Sequence, residues 1–225
     1  MAMTMKRLLA VGLFGAAILS ATPASADSLT LTGLGKGEVV SVTLKGVNVS
    51  GWAGEGNWLL STAGFTSNIY AYCVDLFDEA TTVQNPTEVK TTNQQNSDTT
   101  ANIAVGDLTA GARAAWLFNT YADTIHSVGT AAQAAGLQLA IWETLYPALY
   151  GNALTGFTFS ASKAATDAAA YYIGTLGTNT SVAKFLDATG KGQDQITRVP
   201  EPATVLLCLL ALPLLFVFRR RRVAA

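Results

Sequence analysis

The chain has 225 residues with a formal net charge of -1, and half of its residues are hydrophobic. The charge is uneven, because six of the fourteen basic residues lie near the two ends while residues 27–201 carry fifteen acidic residues against eight basic ones. A central region with a net charge of about -7 argues against nucleic acid and against anionic lipid as a partner, and no nucleic-acid partner is predicted.

The N terminus has the pattern of a secretory signal. Lys6 and Arg7 precede an apolar run, and Ala24-Ser25-Ala26 offers the small residues that signal peptidase accepts. Cleavage after this triplet is expected, so residues 1–26 are predicted to be a signal peptide. The domain that folds is predicted to span residues 27–196, which is long enough for one domain with its own core.

Alternating apolar and polar residues, punctuated by glycines, run from Ser28 to Leu60. A period of two predicts strands and the glycines predict turns, so two or three antiparallel strands are expected here. A further strand is predicted from Ser67 to Leu76, and it carries Cys73. Alternation places Cys73 on the same face as Ile69 and Ala71.

Helical spacing dominates the second half of the domain. Residues 81–100, rich in Thr, Asn and Gln, predict an exposed loop before it. Three helices are then expected, at about 107–121, 130–149 and 160–173. Residues 190–198 are predicted to be a polar linker. The predicted fold class is α+β, with an antiparallel sheet in the N-terminal part packed against a helical part, plus a C-terminal transmembrane helix.

The C-terminal tail has three parts. Val199-Pro200-Glu201-Pro202 comes first, and the uncharged residues 203–218 follow it directly. As a helix this span would reach about 24 Å, which is short for a hydrocarbon core of about 30 Å unless basic side chains reach the interface. Four basic residues form the expected stop-transfer signal on the cytoplasmic side: Arg219, Arg220, Arg221 and Arg222. One interpretation is a plain, permanent membrane anchor.

The same three parts, in this order, resemble the PEP-CTERM sorting signal. The resemblance covers Val199 to Ala225 within a sorting tail predicted to span residues 197–225, and Pro200, Glu201 and Pro202 match the recognition motif. It implies that exosortase, a membrane protease, recognises the tail and cuts near the Pro-Glu-Pro. Carriers typically come from Gram-negative bacteria that make extracellular polysaccharide. The protein would be held only transiently in the inner membrane and would end at the cell surface, the outer membrane or the extracellular matrix.

Cysteine content limits the chemistry of the exported domain. Cys208 lies in the predicted membrane span, so Cys73 is the only cysteine of residues 27–196 and a disulfide within the domain is impossible. A lone thiol in an oxidising compartment indicates an inert buried residue, an intermolecular partner or a specific reaction.

Gln138 is the candidate partner of Cys73 in such a reaction. It shares one stripe of the second predicted helix with Ala134 and Trp142, so its amide faces the apolar side. A buried amide without partners costs about 1–3 kcal/mol. One solution is a core Gln bonded to backbone. Another is an internal thioester, formed when the Cys73 thiolate attacks the carboxamide and expels ammonia. Gln133 is a weaker candidate acyl donor, because it has no Trp partner.

Two segments resemble bacterial thioester domains, which are adhesin modules with a Cys-Gln bond. They are Tyr72-Cys73-Val74-Asp75 and Gln138-Leu139-Ala140-Ile141-Trp142-Glu143, within a resemblance that spans about Val39 to Tyr150. The resemblance implies that Cys73 donates the sulfur and Gln138 the acyl group. Leu137 stands where the family usually has a Thr whose hydroxyl would help to position the bond.

The function expected from the sequence is that of an exported surface or biofilm-matrix protein, delivered by its sorting tail, with a Cys73–Gln138 thioester. The thioester would attach the protein once to an amine or hydroxyl of an extracellular polysaccharide or surface protein. Such a protein is a reagent rather than an enzyme, and it needs no cofactor. The alternative is a non-covalent polysaccharide-binding or structural matrix protein with an inert Cys73/Gln138 pair. In that case exposed tryptophans, with Tyr70 and Tyr72, would stack on sugars.

Ionisable residues elsewhere suggest no second chemistry. His126 is the only histidine and is expected to be structural. Asp75, Asp78 and Glu79 follow Cys73, but without the spacing of an EF-hand, so solvation at a turn edge is expected rather than calcium binding. No metal site is predicted.

Overall fold

The computed structural model describes the central part of the chain. The described residues are 26–44, 47–62, 65–76, 80, 82–84, 87–91, 108–145, 158–188 and 192–198. The predicted signal peptide, sorting motif, apolar span and terminal arginines all lie outside these ranges, apart from the signal's last residue. Within them, no helix is both long and apolar enough to cross a membrane.

The predicted α+β class is confirmed for the described residues, which form an antiparallel sheet and three helices. The strands are β1 Ala26–Leu44, β2 Val47–Thr62, β3 Phe65–Cys73, β4 Val83–Gln84, β5 Thr87–Thr91, β6 Thr158–Ser160, β7 Lys184–Ala188 and β8 Gln195–Thr197. The helices are α1 Leu108–Val128, α2 Ala131–Leu145 and α3 Lys163–Leu176.

The sheet curls because β1 pairs on both sides. The strand order is β2-β3-β8-β7-β5-β1-β4, and β1 also pairs with β2 along most of its length and with β6. Register shifts interrupt the β1–β2 ladder, one of them between Leu34 and Gly37. At this bend Gly54 has a φ of 144°. A Cβ on Gly54 would lie 2.3 Å from the carbonyl oxygen of Lys36, so the bend requires glycine there.

The two faces of the sheet bury different sets of side chains. On the face away from the helices, strand residues pack on one another: Leu29, Trp58, Leu60, Ile69, Ala71 and Leu186. The other face carries the larger core, which includes Cys73 and in which Tyr72 packs against Phe118 of α1. The predicted placement of Cys73 with Ile69 and Ala71 was therefore wrong, because those two residues pack in the first set. Helix α2 contacts the sheet as well as α1 and α3, and every residue from Ala134 to Trp142 is buried. This enclosed helix carries Gln138.

Helix α2 packs unusually close to α3 at one position. A Cβ built on Gly136 would lie 2.6 Å from the Cβ of Ala168 and 2.8 Å from the carbonyl oxygen of Ala165. Real Cβ atoms do not approach this closely, so the two helix backbones touch here because position 136 has no side chain. The contact fixes α2, and therefore Gln138 two residues later, relative to α3.

The helices begin and end at different residues from those predicted. Helix α1 continues to Val128, and α3 begins after Ser162 rather than Ser160. The Ser162 hydroxyl accepts a hydrogen bond from the Ala165 backbone N–H at 3.2 Å and so acts as the N-cap. Ser160 instead ends β6 and pairs with Ser41 of β1. The start predicted at about residue 160 was therefore too early.

Two stretches expected to be irregular contain strands. Part of the predicted loop 81–100 forms β4 and β5, and the end of the predicted linker 190–198 forms β8. Strand β8 lies between β3 and β7, so partners on both sides satisfy its backbone despite its polar composition. The Thr197 hydroxyl also donates to the carbonyl oxygen of Tyr70 at 2.8 Å. Residues 195–197 therefore belong to the folded domain, and the linker prediction was wrong for them.

Candidate functional site

The structure brings Cys73 and Gln138 together. Cys73 is the last residue of β3, and Gln138 lies in the middle of α2. Gln138 is fully buried and Cys73 is 7% exposed. The residues of the predicted apolar stripe, Ala134, Gln138, Trp142 and Leu145, are all buried, but so are the other residues between Ala134 and Trp142.

The Gln138 carboxamide is held by the backbone of Cys73 itself. The Cys73 N–H donates to Gln138 Oε1 at 2.9 Å, and Gln138 Nε2 donates to the Cys73 carbonyl oxygen at 2.6 Å. These two bonds give partners both to the buried carboxamide and to the backbone N–H and carbonyl of Cys73 at the end of β3. They also fix the orientation of the carboxamide relative to the cysteine, since both ends of the amide are engaged.

The thiol of Cys73 is buried and protonated. Its Sγ donates to the Asp75 carbonyl oxygen at 2.6 Å. Burial raises the pKa of the thiol well above its usual range, and the negative charges of Asp75 and Asp194 raise it further. Hydrogen bonding at the Asp75 backbone acts in the opposite direction, and so, to a smaller extent, does the nearby indole of Trp142. The neutral thiol is therefore the stable form at neutral pH.

One hydrogen bond of this site would assist acyl transfer from Gln138 to the sulfur. Attack on the carboxamide carbon would place negative charge on Oε1, and the Cys73 N–H already donates to that atom. A backbone N–H aimed at a developing oxyanion is the usual means of lowering such a barrier. The proton that the thiol loses would leave on the nitrogen, as part of the expelled ammonia.

Acidic residues close to Cys73 are buried rather than solvated. Asp75, predicted to lie at a solvated turn edge, is 2% exposed, so that prediction was wrong. Its carbonyl oxygen accepts from Gln193 Nε2 at 3.0 Å. Asp194 is also buried, and its Oδ1 accepts from the Ala188 N–H at 2.9 Å. Asp78 and Glu79 lie outside the described residues. Among those described, no group of His, Cys, Asp and Glu side chains could hold a metal ion.

Gln133, the second candidate acyl donor, has a structural role. Its Oε1 accepts from the Thr130 N–H at 2.8 Å, and its own N–H donates to the Thr130 hydroxyl at 3.2 Å. This reciprocal pair is a capping box at the start of α2. The side chain is exposed and lies about a turn and a half from Gln138 along the helix.

His126 takes part in a separate polar cluster that sequence reasoning missed. Its Nδ1 lies 3.1 Å from Oε2 of Glu55, which is buried in β2. The Tyr72 hydroxyl donates to the other carboxylate oxygen at 3.4 Å, and the Tyr70 ring stacks on the imidazole with centroids 4.3 Å apart. Lys36 donates to the carbonyl oxygen of His126 at 2.7 Å. A carboxylate between Gly54 and Gly56 in an apolar strand was the only sequence signal for this cluster.

Tyr72 gives the fold a testable pH dependence. Burial, with the charge of Glu55, raises the pKa of the Tyr72 hydroxyl far above its usual value, so the unfolded chain loses this proton first. Stability from neutral Tyr72 is complete below about pH 10 and falls above it, by up to about 1.4 kcal/mol per pH unit. We expect Tyr72→Phe to flatten this alkaline loss in urea unfolding between about pH 9 and pH 11. Equal slopes in both proteins would contradict this.

The predicted sugar-stacking role of Tyr72 does not fit the structure, because its side chain is fully buried. Trp58 and Trp142 are buried as well. Tyr70 is partly exposed, and its ring stacks on His126. A more exposed aromatic side chain lies elsewhere. Tyr171 of α3 is 62% exposed and lies beside Tyr121 and Tyr172.

Comparison with known proteins finds no match. No protein-family model, no curated protein sequence and no solved structure is significantly similar to this chain. The site must therefore be interpreted from its own geometry.

Proposed function

We propose that this chain is an exported surface or biofilm-matrix protein whose Cys73 and Gln138 form an internal thioester for covalent attachment. The observation that carries the proposal is the pair of hydrogen bonds between the Gln138 carboxamide and the Cys73 backbone. A core Gln needs only some polar partners. Here its partners belong to the domain's only cysteine, which is what a Cys–Gln bond requires.

The proposed reaction balances without a cofactor. In formation, the Cys73 sulfur bonds to the Gln138 side-chain carbonyl carbon, the carbon–nitrogen bond breaks, and ammonia leaves with the thiol proton. In use, an amine or hydroxyl of a target attacks the same carbon and the carbon–sulfur bond breaks. The target's proton passes to the sulfur. Each molecule reacts once, so the protein is a reagent and not an enzyme.

The two ends of the chain would deliver this domain. Signal peptidase would remove residues 1–26. Exosortase would then cut near Pro200-Glu201-Pro202 while the apolar span and its arginines anchor the chain in the inner membrane. The support is the order of the three tail segments. Strand β8 also ends at Thr197, just before the Val199-Pro200-Glu201-Pro202 segment, and Arg198 donates to the Asn119 carbonyl oxygen at 2.9 Å.

Methylamine provides the direct test of reactivity. Incubated with the exported protein, it should add to Gln138 as the N-methyl amide, and one thiol should become titratable at the same rate. Cys73→Ala should show neither change, and Gln133→Ala should behave as the wild type. A thiol that is titratable before methylamine is added, with no adduct at Gln138, would contradict the proposal.

A second candidate is non-covalent binding of polysaccharide with an inert Cys73/Gln138 pair, since the same two hydrogen bonds would also suit such a pair. A groove of about 550 Å³ between the helices favours it. Tyr121, Tyr171 and Tyr172 line the groove together with the polar side chains of Gln133 and Asp167. Aromatic faces beside amide and carboxylate groups suit stacking and hydrogen bonding to sugars.

Affinity electrophoresis in exopolysaccharide separates the two candidates. Under the second, migration is retarded in the wild type, in Cys73→Ala and in Tyr171→Phe, and Tyr171→Ala abolishes the retardation. If the protein stays bound to the polysaccharide after boiling in detergent, and only when Cys73 is present, the attachment is covalent and indicates the thioester instead.

A further inference from the structure

Trp142 carries a buried polar group that the fold does not explain. The side chain is 4% exposed, and its indole Nε1 has no hydrogen-bond partner among the described residues. Buried donors are nearly always paired, so an unpaired one at a reactive site requires an explanation. An aromatic side chain without an N–H group could fill the same space in the core.

The position of Trp142 points to the Cys73 sulfur. Residues four apart on a helix lie on the same face, so Trp142 sits one turn from Gln138, whose carboxamide contacts Cys73. Both Trp142 and Cys73 belong to the helix-side core. The thiol directs its own proton to the Asp75 carbonyl oxygen, so the sulfur can also act as an acceptor. The indole also favours the thiolate, against the effect of burial on the thiol pKa.

We propose that the indole N–H of Trp142 donates a hydrogen bond to the Cys73 sulfur whenever that sulfur carries negative charge. One such moment is ionisation of the thiol, whose proton passes to solvent base in a titration. The other is cleavage of the thioester, when the sulfur is the leaving group, and this second part rests on the proposed function. In both cases no atom of Trp142 is transferred, because the indole keeps its proton.

Trp58 provides a matched control. It too is a buried tryptophan whose Nε1 has no hydrogen-bond partner among the described residues. It lies in the core on the opposite face of the sheet. Its Nε1 packs against Gly56, where a Cβ would lie only 2.4 Å from this nitrogen. Trp58→Phe therefore removes an equivalent donor far from the sulfur, with a similar packing change.

The titration test uses Gln138→Met as the parent, because methionine keeps the side-chain volume and has no acyl carbon. Its Cys73 thiol is free whether or not the wild type forms a thioester. With ¹³Cβ-labelled cysteine, the Cys73 signal reports ionisation by NMR, and Cys73→Ser assigns it. We expect Trp142→Phe to raise the titration midpoint by about one pH unit, while Trp58→Phe leaves it unchanged. In the parent, the Trp142 indole N–H signal should shift with the same midpoint.

The inference would be overturned if the Cys73 titration midpoint were the same in the parent and in Trp142→Phe and if the Trp142 indole N–H shift did not change as Cys73 ionises. The indole signal decides the question even if Trp142→Phe folds poorly, because it is read in the parent. In the wild type, methylamine opening should slow about tenfold in Trp142→Phe relative to Trp58→Phe. A wild type without a thioester would defeat the proposed function and leave the titration result standing.

Discussion

In a Cys73→Ala background, where no thioester can form, replacing Gln138 with Ala should lower the free energy of unfolding by about 3–5 kcal/mol. The substitution removes a fully buried side chain and leaves the backbone N–H and carbonyl of residue 73 without the carboxamide partners that they have at 2.9 and 2.6 Å. Unpaired buried groups and an unfilled cavity both destabilise a fold. Urea unfolding at neutral pH measures the difference.

Gln133→Ala is the matched control for this substitution. It also truncates a glutamine of α2, but one that is exposed and serves only the capping box with Thr130. We expect it to cost about 0.5–1.5 kcal/mol. Similar losses for Gln133→Ala and Gln138→Ala would mean that the carboxamide of Gln138 is not embedded as described.

Gly136→Ala should destabilise the protein by about 1–3 kcal/mol, although alanine is the better helix former. The added methyl group would lie 2.6 Å from the Ala168 Cβ and 2.8 Å from the Ala165 carbonyl oxygen, both on rigid parts of α3. Relief requires α2 to move away from α3. Since Gln138 lies two residues along α2, such a shift should also slow reaction with methylamine.

Gly174→Ala tests the same change where there is room. Gly174 lies in α3 with no atom within 4 Å of the position a Cβ would take. We expect the substitution to stabilise the protein by about 0.5–1 kcal/mol, the usual gain in helix propensity. The two variants therefore differ in sign. Thermal unfolding that ranks Gly136→Ala above Gly174→Ala would contradict the close contact between α2 and α3.

The sequence predicted the parts of this fold that depend on local periodicity. Alternation identified the strand that carries Cys73, and spacing by three and four placed Gln138 and Trp142 on one side of α2. Periodicity did not show that α2 is buried on every side from Ala134 to Trp142, because a stripe indicates burial of one face only. The Cys73–Gln138 pair was predicted from this spacing together with the resemblance to thioester domains.

What the sequence did not predict depends on contacts between distant segments. Strand β8 has a polar sequence and exists because β3 and β7 flank it. Asp75 is buried although its neighbours suggested a solvated turn, and Glu55 meets His126 from 71 positions away. No local pattern encodes such pairings, because they arise only when the curled sheet and the helices come together.

The intact mass of the exported protein tests the central claim most directly. Measured in denaturing acid, without reductant and from buffers free of amines, it should fall one ammonia below the mass calculated for the processed sequence. Cys73→Ala and Gln138→Met should each show their full calculated mass. A wild type at full mass, with Cys73 recovered as a free thiol by peptide mapping, would contradict the thioester.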